Sequence, residues 1–136
     1  MATLKTNTLT GTSTAGSIAV TAEGNSTTTN LQQGLAKMWC HLDMNTENTR
    51  DDTFNNSSIT DRATGKITVV ATNAMASINY TTVGSCWNGG SDNYDRFVNP
   101  DDARTTTNVL IATTKGSDGS LLDGQDVDVI NHGDLA

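Results

Sequence analysis

Proline occurs once, cysteine twice and glutamate twice in the 136 residues, and only six side chains are aromatic. Each scarcity removes a class of protein. A single proline and a charged fraction of 17% leave out the proline-rich, highly charged composition of a disordered chain. Two cysteines cannot build a disulfide framework, and synthesis in a reducing cytoplasm is the simplest expectation. Four Lys and four Arg stand against thirteen Asp and two Glu, a net charge of -7. Such a balance lacks the basic stripe of a nucleic-acid binder, so no nucleic-acid partner is expected. No run approaches the roughly 18 apolar residues of a membrane span, so no membrane partner is expected. The opening Met1-Ala2-Thr3-Leu4-Lys5 has no signal-peptide apolar core, which points to synthesis without secretion.

Large apolar side chains are also few. Leu, Ile, Val and Phe number 25 of 136, just below the level of roughly one-fifth at which disorder becomes plausible. What fills the chain instead is 24 Thr, 14 Asn, 12 Gly and 10 Ser. Threonine suits extended structure, and Asp and Asn suit turns, whereas helix-favouring Glu and Lys are scarce. The composition therefore predicts an all-β chain with a thin core, stabilised in part by contacts between subunits.

Residues 1–34 differ from the rest. Between Ala2 and Asn30 the large aliphatics are Leu4, Leu9, Ile18 and Val20, set among threonines. Two patches there suit strands, Thr3–Thr10 and Ser17–Ala22, the second with Ile18, Val20 and Ala22 alternating with polar residues. A segment so poor in apolar groups cannot close a core alone. It reads as an extended N-terminal arm that orders against a neighbouring subunit or a larger partner, with those four aliphatics as candidate anchoring or interface residues.

Residues 35–136 read as the folded domain. Leu35 to Met44 fits a helix through Leu35, Met38, Trp39 and Leu42, and fits a strand equally through Ala36, Met38, Cys40, Leu42 and Met44; the β-rich surroundings favour the strand. That strand turns Lys37, Trp39, His41 and Asp43 away from the core, which makes Trp39 a candidate subunit-interface residue. After a polar stretch holding Asn45 to Thr53, a hairpin follows: Asn56–Asp61, a turn over 62–65 with positive φ at Gly65, and Lys66–Thr72. Further strands are expected at Tyr80–Trp87, Thr105–Thr114 and Asp126–Ile130, separated by a long loop at Gly89–Asp102. Together they predict an antiparallel β-sandwich, jelly-roll-like in outline.

Gly84-Ser85-Cys86-Trp87 matches the core of a papain-type nucleophile signature. However, Cys86 ends a strand, and the chain closes well before the distance at which that family places its histidine. Cys40, His41, Cys86 and His132 contain zinc-ligating atoms without the paired spacing that pre-positions them. A Cys40–Cys86 disulfide across neighbouring strands stays open. The acidic run Asp118-Gly119-Ser120 through Asp128 could hold calcium, but it lacks EF-hand spacing and reads more simply as solvated turns. No catalytic residue, cofactor or metal is therefore expected, and the chain is expected not to be an enzyme. Trp87, Tyr94, Asp95 and Arg96 combine flat rings with directional polar groups, the chemistry of a glycan contact, although the same rings suit packing.

A resemblance adds to this. Gly34-Leu35-Ala36-Lys37 with Trp39 forms its start. Arg50-Asp51 with Phe54-Asn55-Asn56-Ser57-Ser58-Ile59-Thr60-Asp61, Thr64-Gly65-Lys66-Ile67-Thr68-Val69, Ala74-Met75 and Asn79-Tyr80 continue it. Together they resemble a domain of bacteriophage virion and tail-fibre-like proteins, marine ones especially. The lead Thr3-Leu4-Lys5-Thr6-Asn7-Thr8-Leu9 and the ending Asp128-Val129-Ile130-Asn131-His132-Gly133-Asp134 are similar to those proteins too. Lys66-Ile67 and Cys40-His41 depart from their pattern. The resemblance implies a strand at 35–44 and a non-enzymatic, homotrimeric virion component with a small β-sandwich knob. It would be made in the host cytoplasm and carried on the particle surface. The short knob and arm favour a capsid decoration protein (cement or head fibre) bound to the major capsid protein or other virion proteins. The alternative is a short tail fibre or receptor-binding module for host-surface glycans.

Overall fold

A computed structural model describes residues 3–12, 18–21, 27–45, 48–87, 96–101 and 104–136. The chain divides after Leu35 into two compact units, Met1–Leu35 and Ala36–Ala136.

In the first unit β1 (Ala19–Thr21) pairs antiparallel with β2 (Thr28–Asn30), and one helical turn, α1 (Leu31–Gly34), follows. Asn30 starts that turn as an N-cap, its side-chain oxygen accepting from the Gln32 amide at 2.8 Å. The Ser17–Ala22 patch thus contains a strand at its described centre. The Thr3–Thr10 patch contains none: its polar residues face no partner ladder.

The second unit is an antiparallel β-sandwich. Its strands are β3 (Met38–Asp43), β4 (Thr49–Phe54), β5 (Asn56–Ala63), β6 (Lys66–Ala71), β7 (Thr81–Trp87), β8 (Arg96–Pro100), β9 (Asn108–Lys115) and β10 (Asp126–His132). They form two four-stranded sheets, ordered β4-β3-β10-β7 and β5-β6-β9-β8. Alternation of inward and outward side chains along the strands builds the core between them. Met38, Cys40 and Leu42 of β3 and Val127 and Val129 of β10 meet Ile67 and Val69 of β6 and Val109 and Ile111 of β9, all nearly solvent-free. Met44 continues the β3 face. Of the expected strand over residues 35–44, Met38–Asp43 is strand and Leu35–Lys37 precede it, with Met38, Cys40, Leu42 and Met44 inside and Ala36 half-buried. Lys37, expected outside, is buried instead. It precedes the ladder, and its amide donates to the Asn131 carbonyl, so alternation does not govern it.

Two strands lay hidden in expected loops. β4 is an edge strand of Thr, Arg and Asp with little buried surface, so no apolar period announces it. β8 runs through the expected 89–102 loop and ends on Pro100, at an edge where the missing N–H costs little.

Residues between the strands fix the corners of this sandwich and plug its ends. Asn55, at φ 55, lies where the chain leaves one sheet for the other. Its side-chain amide donates to the carbonyls of Lys37 (2.8 Å) and Asn73 (3.2 Å), and its oxygen accepts from the Asn73 amide at 2.7 Å. Gly65 makes the β5–β6 turn at φ 68. Met75 and Tyr80 are buried. The Tyr80 hydroxyl lies 3.0 Å from the Thr105 carbonyl and 3.1 Å from that of Asn108, and the Arg104 guanidinium lies 5.1 Å from its ring centre.

Candidate functional site

Register turns the outer face of the β4-β3-β10-β7 sheet into two parallel rows. Trp39 of β3 is flanked by Phe54 of β4 and Ile130 of β10, and Ile130 by Val83 of β7. Beside this apolar row runs a polar one: His41 flanked by Asp52 and Asp128, and Asp128 by Ser85. The same alternation that buries Leu42 and Val129 forces these residues out. Phe54 is 50% exposed, Val83 61% and Ile130 41%, while Trp39 is partly covered.

The polar row is hydrogen-bonded into a unit. Asp128 accepts from His41 Nδ1 at 2.8 Å through one oxygen and from the Ser85 hydroxyl at 2.9 Å through the other. Asp51 and Asp126 each lie 3.6 Å from His41 Nε2. The Asp128 hydrogen bond is the largest influence on the imidazole and raises its pKa above the ordinary value; partial burial opposes it, and the charges of Asp128, Asp51 and Asp126 add to it. With the carboxylate between hydroxyl and imidazole, Ser85 donates to an acceptor instead of being deprotonated by a base, unlike the Ser-His-Asp order of an activated nucleophile. Trp39, His41, Asp52, Val83, Ser85 and Ile130 contribute to a groove of about 570 Å³ over this face.

The other sequence candidates are distributed differently. Leu4, Leu9 and Val20 are exposed in the first unit. Leu9 and Ile18 line a separate groove of about 620 Å³ with Leu31 and Leu35. Trp87 is 47% exposed and opposes Asp126, so it shares the outer face with Trp39. Arg96 falls on the same side of β8 as Val98, which packs on the core, and its Nε is buried. Trp87 and Arg96 therefore point to opposite sides of their strands; Tyr94 and Asp95 lie outside the described residues.

Cys40 and Cys86 are free thiols, each pushed up to about 11 chiefly by burial, the reverse of what an activated nucleophile needs. The acidic run is split among separate tasks. Asp118 accepts from the Ser120 amide (2.9 Å) and hydroxyl (2.6 Å), Asp123 from the Gly65 amide (2.6 Å), and Asp126 and Asp128 face His41. Among the described residues no group of three or more His, Cys, Asp or Glu is placed to hold a metal ion, and no helix is long and apolar enough to cross a membrane.

Sequence reasoning singled out Trp39 but missed the groups around it. Phe54 follows the stretch Asn45 to Thr53 read as polar, and although His41 was turned outward with Trp39, its partners Ser85 and Asp128 lie 44 and 87 positions further along. The available signal was the outward parity of Asp126, Asp128 and Ile130 in the last strand. Together the fold and this face define an antiparallel β-sandwich bearing an aromatic–carboxylate groove on one sheet. No protein-family model matches the chain, and neither a curated protein nor a solved structure matches it.

Proposed function

We propose that this protein is a non-enzymatic structural component of a bacteriophage virion, a homotrimeric capsid decoration protein anchored by its N-terminal unit. The observation that carries the reading is the division after Leu35 into a sandwich and a small first unit. That unit leaves Leu4, Leu9 and Val20 exposed and holds an apolar groove. Apolar surface left in water gains about 25 cal/mol per Å² when a partner covers it, so such a unit is suited to attachment. The motif resemblance of residues 34–85 supports a virion setting, and the thin core supports subunit contacts. Mass spectrometry and imaging of purified particles test it. The chain is expected at a regular, threefold-symmetric surface position, and a Leu4→Asp/Leu9→Asp double variant is expected to detach while remaining folded. Absence from particles, or a stable monomer by light scattering, would count against the reading.

A second reading, a short tail fibre or receptor-binding module for host-surface glycans, is favoured by the Trp39 groove with its ordered polar row.

A further inference from the structure

We propose that the outer face of the β4-β3-β10-β7 sheet is a binding site for an uncharged saccharide, stacked on Trp39 and hydrogen-bonded by His41, Ser85, Asp52 and Asp128. It rests on the second reading only for its ligand class, and it assigns the site to residues other than the Tyr94–Arg96 segment.

The groove has the size and lining of a small-ligand site. Its volume of about 570 Å³ falls within the roughly 300–1,000 Å³ range of such clefts, and it sets a few convergent polar groups against an apolar floor. Trp39, Ile130 and Val83 supply that floor, and the polar row lies two residues further along each strand. Two residues of strand span about 7 Å, the reach of one pyranose ring with its hydroxyls. A sugar's C–H face suits the indole, and its hydroxyls suit the row beside it.

Charge narrows the ligand. Ionised carboxylates only accept hydrogen bonds, so Asp52 and Asp128 call for a ligand rich in donors. Asp51, Asp52 and Asp126 join Asp128 around the single imidazole. An anionic sugar or a phosphate would meet repulsion there. A second copy docked through the same face would bring carboxylate rows together in a water-poor contact, where unpaired charge is costly. A saccharide leaves those carboxylates hydrated at the open side while using their remaining lone pairs. The row is also ordered before any ligand arrives, because His41 and Ser85 hold the two oxygens of Asp128; little freedom is left to lose on binding.

The test uses the full chain, titrated by NMR with cellobiose, lactose, N,N′-diacetylchitobiose and 3′-sialyllactose, alongside a wider glycan array. At least one neutral sugar is expected to shift the Trp39 indole and His41 ring signals saturably, and sialyllactose is not. Trp39→Ala is expected to weaken binding about tenfold or more, Trp39→Phe to keep part of it, and Asp128→Asn to weaken it with the melting temperature checked in each case. Binding that survives Trp39→Ala and Asp128→Asn but disappears in Trp87→Ala would overturn the site and leave the glycan reading standing. No binding by the folded chain to any array glycan would overturn both. Preference for the sialylated sugar would overturn the charge argument. Loss of assembly in Trp39→Ala without saccharide binding by the parent chain would make this face a subunit contact and refute the proposal.

Discussion

His41 and Asp128, 87 positions apart in sequence, are joined by a 2.8 Å hydrogen bond from Nδ1 to the carboxylate. Because this bond raises the imidazole pKa in the folded chain, stability is linked to pH with a definite sign. The unfolded value is near the ordinary one of about 6.5. The contribution is thus complete below that value and is lost as pH rises through the elevated folded value. Melting temperature is expected to fall across this window in the parent chain and to change less in Asp128→Asn. NMR titration of the His41 ring should show its midpoint returning toward the ordinary value in that variant.

Asn55→Ala is expected to destabilise the sandwich by about 2–4 kcal/mol, since it removes the bonds to Lys37 and Asn73 and forces an alanine into left-handed backbone. Asn55→Gly keeps the φ freely accessible and loses only the bonds, so its loss should be smaller. Urea denaturation of the three proteins separates the two contributions.

Gly65 tests the turn. A Cβ there would stand 2.7 Å from the Leu122 amide nitrogen and 2.8 Å from the Thr113 carbonyl oxygen, at φ +68. Backbone cannot yield as a flexible side-chain tip does, so Gly65→Ala is expected to lose about 2 kcal/mol or more. Asp123→Ala, which removes only the 2.6 Å acceptor of the Gly65 amide, should lose about 1–2 kcal/mol. A denaturation midpoint unchanged by Gly65→Ala would show that the backbone at both Leu122 and Thr113 moves away easily.

The thiols should be quiet. With pKa values near 11, about a thousandth of each is thiolate at pH 8. Alkylation by iodoacetamide is expected to be slow in native buffer, to reach half-buried Cys86 before buried Cys40, and to accelerate on unfolding. Fast native labelling at Cys86 would revive a reactive role for the Gly84–Trp87 segment.

Asp101 carries the opposite pH sign. Its carboxylate is held below the ordinary value, first by the Lys66 hydrogen bond, against burial, and also by Arg62. It therefore contributes stability above about pH 4 that is lost as pH falls through the folded value. Asp101→Asn should lower the melting temperature at neutral pH, with the difference closing under acid.

Sequence by itself determined the β class and the hairpin over residues 56–72, while over residues 35–44 helix and strand periods matched equally and the β-rich surroundings favoured the strand. Those features follow from local rules: a period of two, a turn glycine, and threonine where glutamate would favour helix. The same parity sent Trp39 and His41 outward. Tertiary structure alone decided what they meet. A strand specifies its two faces but not its neighbours, so nothing local sets Phe54, Ile130, Ser85 or Asp128 beside them. Edge strands such as β4 and β8 bury too little to leave an apolar period, and their existence depends on a ladder offered by another part of the chain. The groove over Trp39 arises from the register of four strands drawn from residues 38–132, fixed by the burial of Met38, Leu42, Val127 and Val129 on the opposite face.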